Sequence, residues 1–426
     1  MKQNIILRKK GKSVSGTVQL TGSKSECNRA LIIAALSNGK VKVENISDAA
    51  DTVTLQKVVS SKLQVAGTND LATHNLQPAT VNIGPAGTAM RFLTAYFTLE
   101  DGEVILTGSE RMKQRPIGVL VNALRAIGAS IDYIESEGFP PLRIRGGFEQ
   151  QKNTISIKGD ISSQYITALL LIAAKLPQGL TLQIEGELTS RPYVEMTLAM
   201  LQQAGIQHQW EGNNIYIGKQ EFKETTLYVE PDWSAASYWY AIAALADEAE
   251  LFLPGLTSYS LQGDSVITEI MANFGITSQF KNNGVYLKKE PKPLLRKIFD
   301  MKSCPDLAQT VIVVCAALGH DATFTGLETL KIKETDRVKA LQNELAKIGV
   351  KLIEKGQVYK LDCSGEHIPE RVFINTYDDH RMAMAFAPLA LVIPEVEIED
   401  YMVVEKSYPA FWEDLEKAGF SYQLKG

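Results

Sequence analysis

An amphipathic pattern of helical period recurs along the chain, and five copies stop at a glycine that precedes alternating apolar and polar residues. This order is typical of a helix followed by a strand. Because glycine readily adopts the left-handed conformation that ends many helices, each of these glycines predicts a helix C-terminus. The five stops are Gly128, Gly205, Gly275, Gly349 and Gly419, which lie 77, 70, 74 and 70 residues apart. Thr52–Val65 fits a sixth, degenerate copy without the glycine.

A second recurring pattern is a polar cluster followed by a helix that is apolar on every side. Ala30–Leu36, Ile166–Ile172 and Val311–Leu318 are examples of the apolar runs. A helix without a polar face belongs inside a domain, so these segments are predicted to be buried. The predicted starts are Ser25, Thr88, Ser163, Ser234, Asp306 and Asp379, at intervals of 63, 75, 71, 72 and 73 residues.

Together the two patterns divide the 426 residues into six α/β units of about 71 residues, each with one buried helix, one amphipathic helix and several strands. Solenoid arrays use shorter periods, so we expect two domains of three units each. We assign residues 21–229 to an N-terminal-half domain. Residues 230–426, together with the first strand segment at 1–20, form the C-terminal-half domain.

The buried helices also predict where an active site lies. If the three buried helices of each domain run parallel, their N-termini emerge on one face. Two opposed faces then direct six positive dipole ends into the interdomain cleft, where they favour anionic ligands. The structural alternative is that parallel helices are only a packing solution, and the residues at the helix starts argue against it.

Composition narrows the class of protein. Hydrophobic residues make up 45% and charged residues 22%, which is ordinary for a globular protein. The net charge of −5 and the pI of about 5.7 disfavour a nucleic-acid binder. No apolar run is long enough for a signal-peptide core or a membrane helix. The four cysteines show no metal-binding spacing, so we expect reduced thiols and a cytoplasmic location.

Cations and hydroxyls gather at the predicted helix starts. Gly84–Leu93 is a small-residue loop that opens a helix, an arrangement that suits a phosphate or a carboxylate. Arg115 precedes a proline and could clamp an anion, whereas Arg91 supports the loop. Asp306 is either a helix cap or a proton acceptor in a cationic cleft. His380 stands beside an arginine at the sixth start and is a further catalytic candidate.

Seven motifs in order give the chain a specific resemblance over nearly its whole length. It resembles the 5-enolpyruvylshikimate-3-phosphate synthases, which belong to the enolpyruvyl transferases of the shikimate pathway. The resemblance implies two inverse α/β domains that close on their ligands. The motifs are Gly22-Ser-Lys-Ser with Asn28-Arg-Ala-Leu31, Ala86-Gly-Thr-Ala-Met-Arg91, Arg115-Pro-Ile117, Ser162-Ser-Gln164, Lys333-Glu-Thr-Asp-Arg337, Asp379-His-Arg-Met-Ala-Met384 and Lys406-Ser-Tyr-Pro409.

The resemblance implies two substrates and the residues that bind them, with no metal and no cofactor. For shikimate 3-phosphate the residues are Lys24, Ser25, Arg29, Ser162, Ser163, Gln164, Ser190, Tyr193, Asp306 and Lys333. For phosphoenolpyruvate they are Lys24, Gly87, Arg115, Gln164, Arg337, Arg381 and Lys406. These residue types suit ligands that carry phosphate and carboxylate groups, because arginines and backbone N–H groups bind such anions well.

The implied reaction transfers an enolpyruvyl group by addition and elimination, on the route to chorismate and the aromatic amino acids. The substrate 5-hydroxyl attacks C2 of phosphoenolpyruvate while C3 takes a proton, and the intermediate then loses phosphate. Asp306 is the candidate base, and Glu334 or Lys24 is the candidate acid. The resemblance further implies that glyphosate inhibits the protein, since Gly87 is retained, and we expect a monomer.

Two positions depart from the family pattern. Pro85 replaces a family Asn, and it removes both an amide N–H and a side-chain contact. Thr329 replaces another family Asn ahead of the Lys333 motif and reaches less far towards a phosphate. Both departures bear on substrate affinity and leave the class of reaction unchanged.

Three other functions fit the sequence less well than that of the 5-enolpyruvylshikimate-3-phosphate synthases. A UDP-N-acetylglucosamine enolpyruvyl transferase would carry a Cys in the loop at Glu110–Ile117, and this loop has none. A non-catalytic phosphometabolite-binding protein would not need Asp306 and Glu334 beside cations. An RNA-end-processing enzyme would need a nucleotidyl-accepting His and a more basic groove.

Overall fold

The computed structural model describes residues 3–65 and 78–425. They form two compact α/β units. One unit, called the N-terminal unit below, comprises Gly22–Ser47 and Asp51–Val229. The other, the C-terminal unit, comprises Met1–Thr21, Asp48–Ala50 and Glu230–Gly426. Among the described residues, no helix is both long and apolar enough to cross a membrane.

In the part of the chain that the structure describes, six helices that are buried on nearly every side begin within one or two residues of the predicted starts. Most of their residues are apolar, so burial against neighbouring elements stabilises them more than helix propensity does. The first helix is capped by Ser23, whose hydroxyl accepts from the Glu26 N–H, and not by Ser25. The helices are Lys24–Leu36, Gly87–Leu99, Ser163–Ala173, Trp233–Leu245, Ala308–Ala317 and His380–Phe386; short 3₁₀ turns, Pro305–Leu307 and Ala387–Leu391, precede the fifth and follow the sixth.

The amphipathic helices alternate with the buried ones, as predicted. All five predicted stop glycines have positive φ, between 76° and 115°, so each adopts the conformation that a side chain would strain. The amphipathic helices are Ala50–Val65, Gly118–Ala126, Arg191–Gln203, Ile267–Ala272, Arg337–Ala346 and Phe411–Lys417. Shorter helical turns lie at Glu110–Lys113, Gly263–Val266, Glu328–Ile332 and Tyr401–Lys406.

The strands of the described residues form five four-stranded sheets with one shared order, and one two-stranded sheet. In each larger sheet a parallel pair of strands is followed by two antiparallel strands. The sheets of the N-terminal unit contain Val41–Glu44 with Thr225–Tyr228; Ala79–Asn82, Glu103–Thr107, Leu142–Arg145 and Ser130–Tyr133; and Thr154–Lys158, Leu180–Glu185, Asn214–Ile217 and Gln209–Glu211. Those of the C-terminal unit contain Ser13–Thr17, Glu248–Pro254, Gly284–Lys289 and Ile276–Phe280; Ile298–Asp300, Ala322–Thr325, Val358–Asp362 and Lys351–Lys355; and Arg371–Ile374, Glu395–Ile398, Asn4–Lys9 and Phe420–Lys425.

Long-range pairing completes three of the sheets. Asn4–Lys9 lies between Glu395–Ile398 and Phe420–Lys425 in the last sheet of the C-terminal unit. Ser13–Thr17 pairs in parallel with Glu248–Pro254. In the N-terminal unit, the strand that follows the third repeat returns to pair in parallel with Val41–Glu44 of the first. The repeats are therefore structurally similar but are not each built from one continuous segment.

Candidate active site

Arg337 lies at the centre of a buried charge network in the C-terminal unit. It begins the helix that Asp336 caps, and its side chain is 2% exposed. Its Nε donates to Asp379 Oδ2 at 2.7 Å, its Nη1 to Asp306 Oδ1 at 3.1 Å and its Nη2 to Glu334 Oε2 at 2.9 Å. One guanidinium thereby fixes three carboxylates that come from three separate segments.

Arg381 provides a second guanidinium beside the same carboxylate. Its Nη2 lies 3.0 Å from Asp306 Oδ2 and donates to Ser234 Oγ at 3.3 Å. Its Nη1 donates to the Asp306 carbonyl at 3.3 Å and to the Tyr238 hydroxyl at 3.4 Å. Asp379 accepts from the Arg381 backbone N–H at 3.0 Å, so the cap of the sixth buried helix also ties both arginines together.

Two lysines complete the network. Lys333 Nζ lies 3.8 Å from Asp306 Oδ1, and Lys406 Nζ lies 3.3 Å from Glu334 Oε1. The Lys333 side chain is 27% exposed, whereas that of Lys406 is 10% exposed. The predicted residues Asp306, Lys333, Glu334, Arg337, Arg381 and Lys406 are therefore all brought together in one unit.

Electrostatics shift the pKa values of these groups in opposite directions. Burial alone would raise the pKa of Asp306, but Arg381, Lys333 and Arg337 outweigh it and hold that pKa well below its usual range. Burial lowers the pKa of Lys333, and Asp306 only partly offsets this effect. Burial would also lower the pKa of Arg337, yet Asp379, Glu334 and Asp306 together raise it. The network thus holds Asp306 ionised.

The His380 side chain is buried beside Asp379, whereas that of its neighbour Arg381 contacts Asp306. Its side chain is 2% exposed, and its Nδ1 lies 3.7 Å from Asp379 Oδ1. The ring is inside the unit, whereas the adjacent Arg381 reaches Asp306. A catalytic role for His380 stays a prediction.

Among the described residues, four network members were not predicted as site residues: Asp379, Ser234, Tyr238 and Asp264. Asp379 and Ser234 mark helix starts in the sequence, a signal that indicates a cap but not a partner for an arginine. Asp264 is 4% exposed, and its Oδ2 accepts a hydrogen bond from Ser234 Oγ. Nothing in the sequence near Asp264 distinguishes it from an ordinary residue of an amphipathic helix start.

In the N-terminal unit, Gly87 and Arg115 lie against each other. Gly87 is the first residue of its helix, and a Cβ added there would overlap Arg115 Nη1. Arg91, one turn later, donates to the Gly87 carbonyl at 3.1 Å and to the Pro116 carbonyl at 2.9 Å. These contacts support the loop, as expected for Arg91, and the glycine leaves room for the Arg115 guanidinium.

The two departures from the family pattern lie at distinct places. Pro85 is in a turn that the Ala86 N–H closes by donating to the Ile83 carbonyl at 3.2 Å. Thr329 lies in a 3₁₀ turn, and its buried Oγ1 has no hydrogen-bond partner among the described residues.

Lys24 and Arg29 extend from the first buried helix. Lys24 Nζ lies 3.3 Å from Asp51 Oδ2. Arg29 is 2% exposed and donates to Thr197 Oγ1 at 2.8 Å, to the Ser25 carbonyl at 2.7 Å and to the Tyr193 carbonyl at 3.2 Å. Burial lowers the pKa of Arg29 to about 10. Arg29 thus holds helices together inside the unit, and substrate binding by it stays a prediction.

The remaining predicted residues surround two helix starts. Ser162 caps its helix by accepting from the Gln164 N–H at 3.3 Å, and Gln164 Nε2 donates to Thr88 Oγ1 at 3.2 Å, which connects the second and third starts. Ser163 is the first residue of that helix. Ser190, with a φ of 54°, precedes the helix that contains Tyr193. These hydroxyls and the amide can donate to phosphate oxygens or accept from sugar-like hydroxyls.

Comparison with known proteins covers nearly the whole chain. The family model described as EPSP synthase (3-phosphoshikimate 1-carboxyvinyltransferase) matches residues 8–415. A 3-phosphoshikimate 1-carboxyvinyltransferase of Bacteroides fragilis is 45% identical over 414 residues, which is 96% of this chain and 97% of the relative. One from Pectobacterium carotovorum is 37% identical over 95% of this chain and 96% of its own length.

Solved structures agree with the fold. An EPSP synthase from Acinetobacter baumannii superimposes with a TM-score of 0.75 at 20% identity, over 100% of both chains. The enolpyruvyl transferase NikO from Streptomyces tendae does so with a TM-score of 0.72 at 16% identity, over 100% of this chain and 99% of its own. At these identities the likeness concerns the fold alone. The predicted α/β fold and the predicted family are both confirmed, and this chain belongs to the EPSP synthase (3-phosphoshikimate 1-carboxyvinyltransferase) family.

Proposed function

We propose that this protein transfers the enolpyruvyl group of phosphoenolpyruvate to the 5-hydroxyl of shikimate 3-phosphate. The products are 5-enolpyruvylshikimate 3-phosphate and inorganic phosphate. Family membership supports this assignment, because the related enzymes of 37–45% identity are named for this activity. The observation that carries it is the network around Arg337, in which two candidate proton-transfer carboxylates lie among four cations.

The chemistry requires a base, an acid and a site for the leaving phosphate. We assign Asp306 as the base that accepts the proton of the 5-hydroxyl as O5 bonds to C2 of phosphoenolpyruvate. Glu334 or Lys24 donates the proton to C3. In the second step the C2–O bond to phosphate breaks and C3 returns a proton, so the enol ether forms and no electrons are gained or lost.

The low pKa of Asp306 has a direct bearing on its role. With no anionic ligand bound, the neighbouring cations make it a weak base. Anionic substrate groups that pair with Arg337, Arg381 and Lys333 would offset these cations and raise the Asp306 pKa. Substrate binding would thereby strengthen the base at the step where it is needed.

The substrate contacts are part of the same proposal. Arginine suits phosphate and carboxylate groups, and Gly87 gives a ligand access to backbone N–H groups at a helix start. We assign phosphoenolpyruvate to Lys24, Gly87, Arg115, Gln164, Arg337, Arg381 and Lys406. We assign shikimate 3-phosphate to Lys24, Ser25, Arg29, Ser162, Ser163, Gln164, Ser190, Tyr193, Asp306 and Lys333.

Steady-state release of inorganic phosphate tests the assignment. We expect the purified protein to release phosphate from phosphoenolpyruvate only when shikimate 3-phosphate is present. Turnover with UDP-N-acetylglucosamine in its place would identify the related transferase activity instead. Binding of both ligands without phosphate release would identify a non-catalytic binding protein. The expectations of a monomer and of a cytoplasmic location stay predictions. Light scattering during size-exclusion chromatography tests whether the protein is a monomer.

A further inference from the structure

Asp264 is a buried carboxyl group at the edge of the Arg337 network, and the proposed reaction assigns it no role. It lies in the Gly263–Val266 turn and is 4% exposed. Its Oδ2 accepts from Ser234 Oγ, while its Oδ1 is buried with no hydrogen-bond partner among the described residues. A carboxylate with an unsatisfied buried oxygen destabilises a fold, so Asp264 is a candidate for a functional role.

Ser234 connects Asp264 to the proposed substrate-binding cation. Its hydroxyl oxygen accepts from Arg381 Nη2 at 3.3 Å while it donates to Asp264. The same Arg381 nitrogen lies 3.0 Å from Asp306 Oδ2. The order Asp264, Ser234, Arg381, Asp306 is therefore a continuous chain of hydrogen bonds and ion pairs, and such chains polarise one another.

The turn that contains Asp264 is fixed to the start of the fourth buried helix. Gln262 Oε1 accepts from the Trp233 N–H at 2.8 Å, and Gln262 Nε2 donates to the Pro231 carbonyl at 2.9 Å. Asp264 is thus held beside Ser234 by contacts that do not involve its own carboxyl group. Neither of these two contacts depends on the charge of Asp264.

We propose that Asp264 is a positioning residue for Arg381, which acts through Ser234 and controls how readily the Arg381 guanidinium is released to an anionic substrate. When Asp264 is ionised, the Ser234 proton points to it, and the Ser234 oxygen is available to hold Arg381. When Asp264 is protonated, it donates to that oxygen and weakens the hold. This inference rests on the proposed function, in which Arg381 binds phosphoenolpyruvate.

The surroundings of Asp264 place this change near neutral pH. Among the described residues, the ionisable groups that interact electrostatically with it are Asp306 and Cys304 at the start of the fifth helix, Asp232 at the cap of the fourth, and Arg381 from the sixth. Burial and the Asp306 charge raise the pKa of Asp264 to about 7, although Arg381 and the Ser234 hydrogen bond oppose them. The charge on Asp264 therefore changes near neutral pH.

The test compares the KM for phosphoenolpyruvate of the wild type and of Asp264→Asn between pH 6 and pH 8. The ratio of the wild-type KM to the variant KM at each pH cancels the titration of the substrate itself. At pH 8 only about a tenth of a group with this pKa is protonated, so the wild-type KM should exceed that of the variant by up to about tenfold. At pH 6 the two values should agree within about twofold. Glu269→Gln, a carboxylate on the following helix, is the matched control and should match the wild type at both pH values.

A ratio that is constant across this pH range would overturn the inference, because a merely structural defect changes KM alike at every pH. In a Ser234→Ala background the effect of Asp264→Asn on KM should vanish, and its persistence would exclude transmission through Ser234. Infrared difference spectra of the carboxyl C=O band give a readout without turnover. A band that titrates near neutral pH in the wild type and is absent from Asp264→Asn supports the proposal, and its absence from both overturns it even in a protein without the proposed activity.

Discussion

Arg337 and Asp379 are joined by two parallel hydrogen bonds, from Nε to Oδ2 at 2.7 Å and from Nη2 to Oδ1 at 3.3 Å. Both side chains are nearly inaccessible to solvent. A guanidinium can form this two-point contact and still direct its remaining N–H groups elsewhere, which a lysine cannot do. The pair therefore fixes the plane in which Arg337 meets Asp306 and Glu334.

Asp379→Asn should destabilise the C-terminal unit, because it leaves the Arg337 charge short of a buried partner. We expect a loss of about 3 kcal/mol in the free energy of unfolding, measured by urea denaturation. Glu354→Gln is the control, since its 2.6 Å ion pair with Lys331 is partly exposed and should contribute under about 1 kcal/mol. Equal losses in the two variants would contradict the assigned importance of burial.

Asp306→Asn should abolish most turnover while preserving the shape of the side chain. Loss of a general base typically costs about 10²- to 10⁴-fold in rate, so kcat should fall by this factor while the KM values change far less. Asp300→Asn removes an exposed carboxylate earlier in the same segment and should leave kcat unchanged. Near-normal kcat in Asp306→Asn would refute the proposed base, and Glu334→Gln tests the proposed acid by the same measurement.

Gly87→Ala should raise the KM for phosphoenolpyruvate through Arg115. The added methyl group overlaps the Arg115 guanidinium, which must move from its place beside the helix start. We expect a rise in KM of at least about tenfold, since a displaced charged contact is worth roughly 1.5–3 kcal/mol. In an Arg115→Ala background the same substitution should change KM by less than about twofold. A full effect in that background would show that the methyl group obstructs the ligand directly.

Asp264→Asn should alter how stability depends on pH. Because the pKa of Asp264 is raised to about 7, the folded protein retains a proton between about pH 4 and pH 7 that the unfolded chain has released. Stability from this group therefore falls as the pH rises through that window. The variant has no carboxyl group at this position and does not lose this stability. The unfolding free energy of the variant minus that of the wild type should therefore grow by a few kcal/mol from about pH 4 to pH 7. Guanidinium denaturation at about pH 5 and pH 7.5 measures it, and an equal difference at both pH values would contradict the raised pKa.

Tyr377→Phe should loosen the turn that leads into Asp379. Tyr377 and Asp378 have φ values of 55° and 56°, which few side chains adopt without support. The Tyr377 hydroxyl donates to Glu344 Oε1 at 2.7 Å, and the Glu344 side chain is fully buried. We expect a loss of about 1–2 kcal/mol in urea denaturation. Tyr286→Phe, which removes an exposed hydroxyl contact with Asn282, should be neutral.

Local pattern predicted the helices well, because an apolar run with a polar start and a glycine stop contains the information for one helix. All six buried helices begin within one or two residues of the prediction, and the glycine stops have the expected positive φ. The site residues Asp306 and Arg381 lie at those starts, whereas Glu334 and Arg337 were implied by the family resemblance. Their convergence in one unit is a finding of the structure.

The local pattern of apolar and polar residues could not predict contacts between segments that are distant in the sequence. Asp264 is joined to Ser234 over 30 residues, and Arg29 is used inside the N-terminal unit by Thr167 and Thr197, more than a hundred residues away. Periodicity reports which face of an element is buried but not which partner buries it. A family resemblance identifies a charged residue. It does not show which hydrogen-bond donors of that residue are already bonded to other groups of the protein.

The strand Asn4–Lys9 lies between Glu395–Ile398 and Phe420–Lys425 in one sheet. Because translation runs from the N-terminus to the C-terminus, the ribosome makes this strand well before either of its partners. The C-terminal unit can therefore complete that sheet only after Phe420–Lys425 has been synthesised, whereas all of the N-terminal unit has been synthesised by Val229. The direction of synthesis thus sets an order of folding in which both edges of Asn4–Lys9 stay without their partner strands until long after the N-terminal unit has been translated.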